Sequence, residues 1–223
     1  GRIPRTTVSD TQITCTLAEH VKKFEVTDFE SFTSQSDKRS KMNSRITVSV
    51  NEELDYNIMT ELANASTSFS ASAAPITLDT ATRVIATLAA NGVPINPQDV
   101  TALVSPFLEA KLQNIAGYAS QDYVSSRPLE TGGNQFTGAV QMKRWLNVSW
   151  IVHPNLPNVG STSCTCYFFH RKALGVAVPT SQIRYSAGYD DQDHYHYASA
   201  TLKAGTKILQ NTGILKFLHN DAA

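Results

Sequence analysis

The hydrophobic residues between positions 41 and 65 recur at every fourth residue without a break. The six positions are Met42, Ile46, Val50, Leu54, Ile58 and Leu62. This spacing is typical of one face of an α-helix. A strand would place Ile46, Val48 and Val50 on one face, but that alternation ends at the polar segment NEELD. We therefore predict a single helix of about 37 Å, at 1.5 Å per residue.

The apolar stripe of this helix drifts around its axis. A step of four residues advances the stripe by about 40° relative to a straight line at 3.6 residues per turn. We therefore expect the two ends of the helix to meet different neighbours.

Residues 1–36 have the pattern of an extended hairpin. Ile13, Cys15 and Leu17 alternate with polar residues, and the segment HVKKFEVTDF follows as a second strand. Alternation of this kind predicts strands. Because a two-stranded ribbon is marginally stable alone, we expect it to lie on the body of the protein or on a neighbouring copy.

The segment from 76 onward predicts a mixed α/β unit. Thr77 is a candidate helix cap, Asn91-Gly92 is a stop signal, VTALV is a buried strand, and Ser105-Pro106 opens another helix. Further strands are predicted in AVQMKRWLNVSWIV, in CTCYFF and in the last 40 or so residues.

Two tryptophans lie in the strand region that follows. On one regular strand, Trp145 and Trp150 would point to opposite faces. We therefore expect one of them in the core and the other at a contact surface.

The composition is globular and electrically neutral. Hydrophobic residues make up 41% and charged residues 17%, and 19 basic residues balance 19 acidic ones. Coating nucleic acid or an anionic membrane requires clustered positive charge, and no stretch approaches the roughly 20 apolar residues of a membrane helix. We expect no membrane association.

The chain begins with Gly1, and we expect that an upstream segment was cut off or left out.

The cysteines predict free thiols in a reducing compartment. Their number is three, which is odd, and Cys164 and Cys166 are spaced to share one face of a strand. A zinc site built from these two and His170 lacks the usual cysteine spacing and a second ligand pair. We therefore predict that they are small buried core residues.

The richest polar cluster is DDQDHYHY at residues 190–197. It contains Asp190, Asp191, Asp193, His194 and His196, which are residue types that bind metals. No third ligand from a second fixed element can be named, so we predict a solvated turn followed by a strand.

No phosphate-binding loop, dinucleotide fingerprint or serine elbow is present in the sequence. We predict no catalytic residue, no metal and no cofactor.

The order of the predicted parts resembles a known family. The parts in chain order are a β-ribbon, a long helix ending in DYNIMTELANAS, an α/β segment containing TLDTATRVIATLAANGVP and ALVSPFLEAKLQ, and then FFHRKALGVAV and AGTKILQNTGILKF. Together they resemble the major capsid protein of tailed bacteriophages. Its fold is named after phage Hong Kong 97. The resemblance spans nearly the whole chain.

The resemblance implies an α+β fold with a mixed α/β axial lobe and a peripheral lobe built on a long spine helix. The implied division is 1–36 extended loop (β-ribbon), 37–75 peripheral lobe with spine helix, 76–180 axial lobe, 181–206 return to the peripheral lobe, and 207–223 closing strand of the axial lobe.

The resemblance also implies a structural function. Copies would associate through pentamers and hexamers into an icosahedral shell around double-stranded DNA, with scaffolding and portal proteins as partners. The shell would be assembled in the bacterial host cytoplasm and located in the virion. We expect intersubunit contacts at Lys22, Lys23, Phe24, Phe29, Phe32, Glu52 and Glu53.

Two features depart from the family pattern. Almost nothing precedes the ribbon where members carry an N-terminal arm. Some members cross-link a loop lysine to an asparagine, and Lys22 and Lys23 lie in that region, but no partner asparagine or catalytic acid is identified, so this activity is not carried over.

Three alternatives stay open. An encapsulin-like nanocompartment would share the fold and enclose a cargo enzyme. A metal-dependent enzyme would use the 190–196 cluster, and a binding module would be monomeric.

Overall fold

The computed structural model describes residues 12–27, 30, 38–71, 76–115, 118, 142–179 and 183–222. In chain order the elements are β1 (Ala18–Thr27), α1 (Lys38–Ala63), β2 (Ser68–Ser70), α2 (Leu78–Ala90), β3 (Val100–Val104), α3 (Pro106–Gln113), β4 (Met142–Trp145), β5 (Val148–Val152), β6 (Cys164–His170), β7 (Leu174–Ala177), β8 (Arg184–Asp190), β9 (Tyr195–Ile208) and β10 (Ile214–His219). Helices and two sheets form an α+β fold, as predicted.

A mixed six-stranded sheet carries the larger hydrophobic cluster, which we call the main core. Its strand order is β2-β10-β6-β3-β5-β4, and β3 runs parallel to β5 but antiparallel to β6. Buried side chains of α2 and α3 join this cluster, including Leu88, Leu108 and Leu112. No helix among the described residues is long and apolar enough to cross a membrane.

The predicted helix caps are confirmed. Thr77 accepts a hydrogen bond on its hydroxyl from the backbone N–H of Thr80 at 3.2 Å, and Ser105 accepts one from Leu108 at 3.0 Å. Each satisfies a backbone donor that the first helical turn leaves without an intrahelical partner. Gly92, just past α2, has a φ of +79°, which glycine adopts without steric cost.

The tryptophan prediction is wrong, because the chain reverses between the two residues. Leu146 and Asn147 have φ values of 50° and 57°, the arrangement of a tight two-residue hairpin turn. Trp145 therefore pairs with Val148 across the turn. Trp145 and Trp150 are both buried, with ring centroids 5.5 Å apart.

The predicted hairpin in residues 1–36 is also wrong for the described residues. Residues 12–17 form no strand. Instead, β1 pairs antiparallel with β9 over ten residues, from Ala18 opposite Ala204 to Thr27 opposite Tyr195. The alternating residues Ile13, Cys15 and Leu17 therefore lie outside the strand. The segment predicted as a second strand does contain one, but a partner far along the chain provides its hydrogen bonds.

The long helix is confirmed, and its stripe does meet different neighbours at its two ends. Met42, Ile46 and Val50 pack in a second cluster, the helix–sheet cluster, whose other buried members are Val26, Ala198, Ala200, Leu202 and Ala204. Met59 and Leu62 belong to the main core instead. The element at the N-terminal end is a sheet rather than a free ribbon. One helix therefore connects both clusters.

This shared helix predicts cooperative unfolding. Ile46→Ala and Leu62→Ala each open a cavity in a different cluster, and a buried Leu→Ala change typically costs about 2–5 kcal/mol. We expect both substitutions to lower the midpoint of one common transition in urea unfolding of the unassembled chain.

Val48→Ala serves as the control, because Val48 lies on the same helix and is 55% exposed. Its effect should stay within about 0.5 kcal/mol. Two separable transitions, each moved by only one of the core substitutions, would contradict a shared structural unit.

Candidate functional site

The second sheet is organised around β9, and one of its faces packs on α1. β9 pairs with β1, with β8 and, through its last residues, with β7. Residues directly opposite one another on antiparallel strands share a face. The face that carries Ala198, Ala200 and Leu202 of β9 is the one buried against α1. The small alanine side chains allow the helix to lie close to the sheet.

Two of the predicted contact residues, Lys22 and Glu53, pair with each other inside the chain. Lys22 Nζ lies 2.8 Å from one carboxylate oxygen of Glu53, and His20 Nδ1 lies 2.9 Å from the other. The hydrogen bond from Lys22 holds the pKa of Glu53 below its usual value, although partial burial opposes this shift. The pair ties β1 to the middle of α1.

Lys23 and Phe24 lie on opposite faces of β1. Phe24 is half-buried against the helix–sheet cluster, and the Arg45 guanidinium lies 5.4 Å from its ring centroid. Lys23 Nζ lies 2.7 Å from Glu25 and donates to Tyr195 Oη at 2.9 Å on the outer face. The hydrogen bond to Glu25, more than that to Tyr195, raises the pKa of Lys23 above its usual range.

The remaining predicted contact residues are distributed differently. Glu52 is exposed on α1, while Phe29 and Phe32 lie outside the described residues. The structure thus brings together Lys22 and Glu53. A role for any of the seven residues in contacts between copies stays a prediction.

Sequence reasoning missed a pair of exposed tyrosines on β8. Tyr185 lies opposite Ala200 and Tyr189 opposite His196, so both project from the helix-side face of the sheet. They are nevertheless 55% and 40% exposed. An open groove of about 360 Å³ separates β8 from α1, and Ile46, Thr47 and Tyr185 contribute to its lining. The alternation in IRYSAGYD was the available signal.

The Asp/His cluster forms an exposed hairpin turn between β8 and β9. Asp190 accepts hydrogen bonds from the backbone of Gln192 at 3.0 Å and of Asp193 at 3.4 Å, and the first of these lowers the pKa of Asp190 most. His194 adopts a φ of 51° at the turn, and its Nδ1 lies 3.2 Å from Tyr189 Oη. This is the solvated turn that the sequence predicted.

A different set of metal-ligating residues does come together. Within the described ranges, Cys164, Cys166 and His219 are the one group of three or more His, Cys, Asp or Glu whose ligand atoms lie within 4.8 Å of one another. Cys15, Cys164 and Cys166 are all free thiols. Cys164 and Cys166 are buried on one strand, as predicted, but the histidine beside them is His219 on β10 and not His170.

Similarity to one protein family extends over most of this chain. A family model described as phage capsid protein matches residues 10–216. The chain belongs to this phage capsid protein family. Among curated proteins, none matches the chain.

Solved capsid structures share the fold at low sequence identity. A structure from Mycobacterium phage Che8 has 16% identity and a TM-score of 0.66, over 90% of this chain and 70% of that one. The capsid of cyanophage P-SCSP1u has 14% identity and a TM-score of 0.66, over 97% and 80%. A virus-like particle from Pyrococcus furiosus has 14% identity and a TM-score of 0.58, over 90% and 76%.

The capsid fold is therefore of the Hong Kong 97 type, which confirms the resemblance derived from the order of the parts. Within this fold α1 is the long helix, and its ion pair with β1 fixes the strand that carries Lys22, Lys23 and Phe24.

The lowered pKa of Glu53 predicts an acid-sensitive contribution to the stability of this capsid protein. A carboxylate with a depressed folded-state pKa stabilises the fold fully above its unfolded pKa, about 4.3, and loses that contribution as the pH falls further. We expect wild type to exceed Glu53→Gln in unfolding free energy at neutral pH, with the difference shrinking below about pH 4.5.

Urea unfolding at several pH values measures this difference. Glu52→Gln is the matched control, because Glu52 neighbours Glu53 in sequence and is exposed. A difference between wild type and Glu53→Gln that stays constant down to about pH 3 would rule out the ion-pair explanation.

Proposed function

We propose that this chain is the major capsid protein of a tailed bacteriophage. Copies assemble through pentamers and hexamers into an icosahedral shell that encloses double-stranded DNA. The single observation that carries the proposal is the phage capsid family match over residues 10–216. The Hong Kong 97-type architecture and the physical features below support it.

We assign the two proposed lobes to the two sheets. In this assignment the main core with its six-stranded sheet forms the axial lobe, and the β9-centred sheet with the first part of α1 forms the peripheral lobe. Two short strands lie across the boundaries proposed from sequence. β2 pairs with β10 although it precedes residue 76, and β7 pairs with β9 although it precedes residue 181. α1 belongs to both lobes.

Assembly in this proposal depends on many modest contacts between copies. A closed shell engages each subunit through several interfaces at once, so weak contacts produce a stable whole. Exposed large apolar side chains on both faces of the β9-centred sheet are available for such contacts. Val21, Tyr185 and Tyr189 are examples, at 59%, 55% and 40% exposure.

The neutral charge of the chain is compatible with enclosing DNA without binding its sequence. A wall rich in lysine and arginine would hold phosphates by counterion release, whereas 19 basic residues here balance 19 acidic ones.

Scaffolding and portal proteins are the proposed partners. The host cytoplasm is the proposed site of assembly, and the virion is the proposed final location. In this proposal the chain acts through its surfaces and catalyses no reaction.

An encapsulin-like compartment is the second candidate, favoured by the likeness to the Pyrococcus furiosus virus-like particle. The contents of purified particles distinguish the two. Particles from infected or induced host cells should protect double-stranded DNA from nuclease. Particles that contain a single cargo enzyme and no protected DNA would favour the compartment.

The tyrosine pair provides a test of the assembly surface. We expect the double substitution Tyr185→Ser and Tyr189→Ser to shift the protein from large particles toward rings or monomers in sedimentation velocity, with its circular dichroism unchanged. These side chains lie on the sheet surface, so their removal opens no core cavity.

Tyr56→Ser is the matched control, because Tyr56 is 62% exposed on α1. Wild-type particle size in the double variant would exclude the tyrosine pair as a contact. A strict monomer for the wild-type chain with its scaffolding partner present would contradict the proposed function itself and favour a binding module.

A further inference from the structure

We propose that Cys164, Cys166 and His219 form a binding site for zinc, buried between β6 and β10. The site is independent of the shell function proposed above. It was not predicted from the sequence, because its histidine comes from a different strand than its cysteines.

The sheet register places the three ligands on one face. Cys164 and Cys166 are alternate residues of β6, so their side chains project to the same side. His219 of β10 lies directly opposite Cys164, and Phe217 lies opposite Cys166. Opposed residues of an antiparallel pair share a face, so the backbone itself converges two thiols and an imidazole.

The distance between Cys166 Sγ and His219 Nε2 matches the sulfur–nitrogen separation at a tetrahedral zinc ion. Cys166 Sγ lies 3.6 Å from His219 Nε2, and all three ligand atoms lie within 4.8 Å of one another. Zinc–sulfur and zinc–nitrogen bonds of about 2.3 and 2.0–2.1 Å at a tetrahedral angle give a sulfur–nitrogen distance of about 3.6 Å.

Asp221 lies beside the three ligands, although it is not one of the group that converges within 4.8 Å. Its Oδ1 lies 3.3 Å from His219 Nε2. Ser105 donates to the same oxygen at 2.8 Å, and the backbone N–H of Gly160 donates to the other at 3.0 Å. Such hydrogen bonds hold the carboxylate in place beside the imidazole.

Burial explains why a cation suits this place. Cys164 and Cys166 are fully buried, while His219 and Asp221 are 3% and 4% exposed. A buried carboxylate needs a compensating partner, and a cation held beside it would add to the hydrogen bonds that Asp221 accepts from Ser105 and Gly160.

Binding would exchange protons for the metal. Two cysteine thiols each lose a proton to the solvent as two zinc–sulfur bonds form, and no oxidation or reduction takes place. The ion would connect β6 to β10 and hold the end of the chain against the main core.

Zinc content of the full chain tests the proposal. Protein purified under reducing conditions is incubated with Zn²⁺, dialysed against metal-free buffer, and analysed by mass spectrometry for metal. We expect roughly one zinc ion per wild-type chain, and loss of that zinc in Cys166→Ser and in His219→Asn.

Two matched controls should keep the zinc. Cys15→Ser removes a cysteine outside the cluster, and His170→Asn removes the histidine at the end of β6. Equal zinc content in wild type, Cys166→Ser and His219→Asn would overturn the proposal, and so would wild type without zinc.

A second measurement avoids the risk that a core variant fails to fold. Co²⁺ added to the wild-type chain should produce the intense thiolate-to-cobalt charge-transfer absorption of a cysteine-ligated site, and added Zn²⁺ should abolish it. If the weak spectrum of hexaaquo cobalt is all that appears, the thiol and the imidazole form a hydrogen bond and no metal site. That result would overturn the proposal.

Discussion

The packing of α1 against two separate hydrophobic clusters is the interaction on which the rest of the structure depends. Met42, Ile46 and Val50 cover the alanine-rich face of β9, while Met59 and Leu62 enter the main core. A period of four on a helix of 3.6 residues per turn makes this possible, because the stripe rotates between the two ends. The sheets therefore share one rigid element, which also carries Glu53 to its ion pair with Lys22.

The features predicted correctly from sequence have local causes. The stripe of α1 and the caps at Thr77 and Ser105 depend on residues a few positions apart, and so does the shared face of Cys164 and Cys166. The order of these elements was enough to identify the capsid fold, although identity to the solved capsids reported above is at most 16%.

The features that were missed depend on distant partners or on an unusual turn. The partner of β1 is β9, more than 160 residues later, so no local pattern could reveal it. The reversal at Leu146 and Asn147 lacks the glycine that usually marks such a turn. Tyr185 is exposed because α1 leaves that part of the sheet uncovered, and His219 meets the cysteines only through the pairing of β6 with β10.

We expect this body, two sheets joined by α1, to be the repeating unit of a closed shell. Cryo-electron microscopy of particles formed by the chain tests it most directly. We predict icosahedral particles with fivefold and sixfold rings, in which each subunit shows both sheets connected by one continuous helix at 38–63. Open filaments, amorphous aggregates or isolated monomers under conditions of assembly would contradict it.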